Sequence, residues 1–78
     1  MKDLLTSLIE GITGSKEFEI VEESADSGRI DLTLQTPKDI IGIVIGKEGR
    51  TIKAIRNVLK IKAVLDNQVV SLNLEEKQ

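Results

Sequence analysis

Ile40-Ile41-Gly42-Ile43-Val44-Ile45 runs without a charge into Gly46-Lys47-Glu48-Gly49, and Arg50-Thr51-Ile52-Lys53-Ala54-Ile55-Arg56 follows at once. This junction limits the fold more than any other feature. A short apolar helical run and a basic amphipathic helix must be joined by four residues with a glycine at each end. The loop is too short to cover anything, but its glycines let two helix ends and a ligand backbone approach closely. Lys47 and Arg50 flank the amide groups that open the second helix, where unpaired N–H donors and the helix dipole favour an anion. Such a corner suits a phosphodiester backbone.

Two glycines at this spacing prove nothing by themselves. With average glycine usage of about 7%, a G-x-x-G turns up by chance in roughly one chain in three of this length. The chain supplies its own control in Gly11-Ile12-Thr13-Gly14. That copy has no basic neighbour and ends a helical pattern, with Gly14 as the residue just past the helix. It is a helix stop. The second copy differs by its surroundings.

Seventy-eight residues make one small domain, expected over 1–78, with a core that buries only about 60–65% of the unfolded surface. There is no cysteine and no histidine, which removes disulfides, thiolate sites, the usual zinc ligand and the usual general base. No cofactor or metal is expected. Ile40 to Ile45 is far shorter than the roughly 18–20 residues that span a bilayer, and Met1-Lys2-Asp3 opens into an amphipathic segment, so a soluble cytoplasmic protein is expected. The formal net charge of −2 hides an asymmetry. Lys38 to Lys62 carries seven basic residues against Asp39 and Glu48, a net of +5, while the remainder carries −7. Charge sorted in this way localises binding to one face.

Leu4, Leu5, Leu8, Ile9 and Ile12 recur at helical spacing, which predicts a first helix over 2–13. Phe18 and Ile20 alternate with Glu17 and Glu19 as a strand, and Ser24-Ala25-Asp26-Ser27-Gly28 is a turn. Ile30, Leu32 and Leu34 form the clearest strand, a hairpin partner stopped by Pro37. Asp39 is placed to cap a short helix over 40–45 that is rich in β-branched residues and must be held by packing. A longer helix covers about 49–65. Its apolar arc is Ile52, Ile55, Val58, Leu59, Ile61 and Leu65, with Lys62 inside it, and its basic arc is Arg50, Lys53, Arg56 and Lys60. Val70, Leu72 and Leu74 make the last strand, and residues 75–78 are expected as a frayed acidic tail. The order α-β-β-α-α-β is an α+β fold. Alternating strands leave one wet face, so the three helices cover the other face of a three-stranded mixed sheet. The crossover favours parallel second and third strands, with the first antiparallel on the other edge.

The loop and its helices form a candidate groove. Ile41, Val44 and Ile45, with Ile52, are its expected floor, the loop its rim and the second strand its far wall. Bases would lie on the apolar floor while phosphates pass Lys47, Arg50, Lys53 and Arg56. A triphosphate site is rejected: Gly42 to Glu48 has three residues between its glycines, not four, and Glu48 stands where a Ser/Thr magnesium ligand is needed. Gly42-x-x-x-Gly46 lacks the long apolar segment of a membrane dimer motif. Glu17, Glu19, Glu22 and Glu23 fit a solvated edge strand better than a metal or acid–base site. The serines and threonines lack an activating base, so catalysis is not expected. Phe18 is the sole aromatic residue and is assigned to the core, which leaves a groove of aliphatic side chains and backbone.

The residues from Gly42 to Arg56, together with the length and element order, resemble a type II KH domain, whose G-x-x-G loop clamps about four nucleotides. They look most like the small bacterial single-KH proteins of the KhpA (YlqC) family. By this resemblance Gly46, Lys47, Glu48 and Gly49 are the RNA-clamping loop, with Arg50 beside it. The resemblance also implies single-stranded RNA as ligand, a homodimer, and pairing with a larger KH protein of the Jag type. Roles in RNA chaperoning, post-transcriptional regulation and cell growth and division come with it. Ile43 stands where the family usually has Arg or Lys, which marks the second helix and the loop as the expected dimer contact, with an edge strand as the alternative. Two alternatives stay open: an interaction module that uses the same surface for assembly, and a binder of single-stranded DNA, which differs at the 2′-OH.

Overall fold

The computed structural model describes residues 1–77. They form α1 (Lys2–Thr13), β1 (Glu19–Ser24), β2 (Arg29–Thr36), α2 (Lys38–Ile45), a 3₁₀ turn (Lys47–Gly49), α3 (Arg50–Leu65) and β3 (Val69–Glu76). Among them the sheet order is β1-β2-β3, with β1 antiparallel to β2 and β3 parallel to it. The register sets Leu32 beside Glu22 and Leu72. This is the expected α+β arrangement of three helices and a mixed three-stranded sheet.

The period-2 pattern explains why the helices collect on one side. Ile20, Ile30, Leu32, Leu34 and Leu72 point to the same face and join one core with Leu5 and Ile9 of α1, Val44 of α2, and Ile52, Ile55 and Leu59 of α3. Thr36 ends the buried row of β2, and its hydroxyl donates to the Glu17 carbonyl at 2.9 Å. α2 is a poor helix by composition, yet Val44 is fully buried and Ile40 packs against the core. Burying one such side chain is worth about 1.5–3 kcal/mol, more than its propensity costs. Gly14 closes α1 in the left-handed region at φ 68°, donating its N–H to the Glu10 carbonyl at 2.9 Å.

The other face of the sheet is polar. Ser71 Oγ donates to Asp31, Arg29 Nε pairs with Asp31 at 3.1 Å, and Lys77 Nζ pairs with Glu19 at 2.7 Å. The Ser71 hydroxyl first, and the Arg29 hydrogen bond second, hold the Asp31 carboxyl below the usual carboxylate range. Lys77 lowers Glu19 by its hydrogen bond and then by its charge.

Four expectations are corrected. Glu75 and Glu76 belong to β3, and the Lys77 N–H donates to the Thr36 carbonyl at 2.9 Å, so the tail is tied through Lys77; Gln78 lies outside the described residues. Pro37, not Asp39, stands at the N-cap of α2; a proline needs no N–H there, and Asp39 sits in the first turn. The first strand starts at Glu19, one residue past Phe18, and takes in Ser24. On α3 the buried stripe is Ile52, Ile55, Leu59 and Ala63 only. Val58, Ile61 and Leu65 lie on a second, exposed flank, and Lys62 pairs with Asp66 at 3.3 Å.

Candidate nucleic-acid interface

The loop owes its shape to three residues in the left-handed region: Gly46 (φ 74°), Glu48 (φ 57°) and Gly49 (φ 73°). At Gly46 the requirement is also steric, because a Cβ would lie 2.2 Å from Thr51 Oγ1 and 2.7 Å from Thr51 Cβ. Thr51, in the first turn of α3, therefore packs directly on the backbone of Gly46. At Gly49 a Cβ would meet nothing closer than Ile52 Cγ2 at 4.0 Å, so glycine is favoured there by conformation alone. Glu48 adopts φ > 0 without that freedom, a local strain that marks the tip of the loop.

This geometry turns Lys47, Glu48 and Arg50 outward, all exposed. Arg50 and Glu48 approach at 3.5 Å, with side-chain exposures of 79% and 68%, a contact that water screens almost entirely. No side chain caps the first turn of α3. The loop thus presents two exposed cations beside a helix start that no side chain caps, the arrangement that favours a phosphate.

The expected floor is only partly accessible. Ile45 is exposed and Ile41 half-buried, but Val44 is fully buried and Ile52 nearly so, which removes both from contact with a base. Val44 is the buried residue of α2 and Ile52 opens the buried stripe of α3, so both side chains point into the core. Lys53 projects to solvent from α3, one turn beyond the loop. Arg56 does not. Its guanidinium donates to the Leu72 carbonyl of β3 at 3.3 Å.

That bond crosses a groove of about 560 Å³ between α3 and the open edge of β3. Leu59, Ala63, Val70 and Leu72 line it, with Arg56 and Lys60 among its polar residues. The wall facing the basic arc is therefore β3, not the second strand, because β2 is central and β3 occupies the free edge. Sequence reasoning did not bring Lys60, Ala63 and Val70 together as the lining of a groove. The parallel pairing it inferred would have found them, since it leaves β3 on the edge that the basic arc of α3 overhangs.

An apolar surface adjoins the groove. Ile61, Val64 and Leu65 of α3 and Val69 of β3 are each 63–75% exposed, against 45% for Ile43. Among the described residues no three acidic side chains converge as a metal site would need, and no helix is long and apolar enough to cross a membrane.

The family model for the KhpA/KhpB KH domain matches residues 2–74. A protein of Chlamydia trachomatis serovar D named RNA-binding protein KhpA is 38% identical over 78 residues, all of both chains. Proteins of the same name from Chlamydia caviae and Clostridium acetobutylicum are 41% identical over 76 residues and 35% over 74. They span 97% of each chain in the first case, and 95% of this chain and 99% of the relative in the second. No solved structure matches the chain.

Proposed function

The chain belongs to the KhpA/KhpB KH-domain family, and on that premise we propose that it is a single-stranded RNA-binding protein. Gly46, Lys47, Glu48 and Gly49, with Arg50, clamp the sugar–phosphate backbone, and Lys53 continues the phosphate track along α3. Ile41 and Ile45 supply apolar contact near the loop, and the groove between α3 and β3 receives bases. The observation that carries this reading is the loop itself: three residues with positive φ, the first packed against Thr51, set Lys47 and Arg50 beside a helix start that no side chain caps. The names of its relatives support RNA over DNA as the ligand. The work is binding, not catalysis, in the cytoplasm, as an RNA chaperone or post-transcriptional regulator.

The test is the double variant Lys47→Asp/Glu48→Asp. It sets two carboxylates beside the phosphate track, and aspartate tolerates the left-handed position better than glutamate does. RNA binding should be lost while unfolding stays within about 1 kcal/mol of the parent. A folded double variant that keeps its RNA affinity would remove the loop from the site.

Assembly is part of the same proposal. The apolar flank of α3 around Ile61 and Leu65 is larger than the surface around Ile43, and it favours a homodimer that packs there. The same flank is available to a larger KH protein of the Jag type.

A further inference from the structure

Arg56 is the cation of α3 whose position is defined by a bond to the backbone of the facing strand, through the Leu72 carbonyl at 3.3 Å. In the parallel register, Val69 N–H is directed to Gly28 of the β2 side, so Val70, Leu72 and Leu74 turn their N–H and C=O groups to the open edge. The Leu72 carbonyl thus lies at the mouth of the groove, and Arg56 is drawn there from the solvent side of its helix. A guanidinium has five N–H donors in a planar fork and no acceptor, so one bond to Leu72 leaves most of the fork unspent. The floor beneath it is aliphatic, from Leu59, Ala63, Val70 and Leu72. Phe18, the sole aromatic residue, lies between α1 and β1, away from this groove. Asn57, Lys60 and Gln68 also line the groove, but among the described residues the Arg56 guanidinium is the polar side chain there that a hydrogen bond to the facing strand holds in place.

Resting on the RNA-binding reading above, we propose that Arg56 reads a base in this groove, and that the base is guanine. The donor fork matches an edge that offers two neighbouring acceptors. Guanine presents O6 and N7 side by side, whereas adenine presents a donor amine beside N7. The two purines are alike in size and in apolar contact with the floor, so the difference falls on the fork. The role is distinct from that of Lys53, whose ammonium has no fixed partner and acts on phosphate as a charge.

The test uses the full chain and fluorescent uridine octamers that carry one central guanosine or one central adenosine. A bidentate contact supports roughly tenfold tighter binding of the guanosine octamer, within the usual range for such pairs. Arg56→Lys keeps the charge and removes the fork, so the preference should shrink to within about twofold while the log–log salt slope stays unchanged. Lys53→Ala should do the reverse: equal weakening of both octamers, a slope flatter by about 0.7, and the preference kept. A parent protein that binds both octamers equally overturns the proposal and leaves RNA binding standing. So does an Arg56→Lys variant with the preference intact. A parent protein that binds neither octamer overturns RNA binding and this proposal together. Circular dichroism of each variant, matched to the parent, separates these outcomes from misfolding.

Discussion

Gly42 and Gly46 stand four residues apart and make opposite demands. Gly42 sits inside α2, where a Cβ would meet nothing within 4 Å, and its φ is ordinary. Gly42→Ala should stabilise the fold by about 0.5–1 kcal/mol in urea denaturation, since glycine inside a helix costs that much. Gly46 combines φ 74° with ψ 177°, and its missing Cβ is the space that Thr51 fills. Gly46→Ala should cost about 1–3 kcal/mol and abolish RNA binding, because either the loop or the start of α3 must move. Equal stability of the two alanine variants would contradict the wedge. The sequence showed that both residues were glycine and that the second had charged neighbours. It did not show that Thr51 makes Gly46 irreplaceable, because that contact depends on how the chain closes into the turn. Val44 illustrates the same limit. Its place in an apolar run announced burial or exposure equally, and only the packing of α2 on the core decided for burial.

At the scale of elements, alternation made the strands legible, and β2 shows why: Ile30, Leu32 and Leu34 are all buried while their neighbours are not. α3 was less legible. Its apolar residues cover two flanks, and hydrophobicity alone does not say which flank meets the sheet. The tail was misjudged because charge in Glu75 and Glu76 resembles fraying, whereas a parallel ladder with Gln35 and Thr36 fixes them. The wet face of the sheet carries a testable pH effect. Asp31 and Glu19 are both lowered in the fold, so their contribution is present at neutral pH and above the unfolded carboxylate range. It is lost as pH falls from about 4 through the lower folded values. Asp31→Asn should therefore show a shallower loss of thermal stability between about pH 4 and pH 2 than the parent. Identical acid profiles would mean that Ser71 and Arg29 contribute nothing to the fold through Asp31.

The whole molecule separates its charges: the acidic β1 edge lies across the sheet from the basic arc of α3 over β3. An RNA strand is thus drawn to one side and repelled from the other, which orients encounters before any contact forms. A KH domain in general grips about four nucleotides, so a single site offers little contact, and a dimer would link two of them. Ile61, Val64 and Leu65 of α3 and Val69 of β3 offer the apolar centre for that association. Ile61→Lys should convert a concentration-dependent dimer to monomer in sedimentation, whereas Ile43→Lys should leave it intact. Monomer alone in the parent protein at about 100 µM would exclude the dimer and leave one weak site, with avidity no longer available. The parallel ladder has a further consequence, in time. β1 and β2 meet across a four-residue turn, but Asp31 and Ser71 are separated by 40 positions. β3 reaches its place only after α2, the loop and α3 have been folded back over the sheet, so the closure entropy is spent before the ladder rewards it. The hairpin and the basic arc of α3 need only local contacts, whereas the groove and the carbonyl that holds Arg56 exist only once β3 has paired with β2.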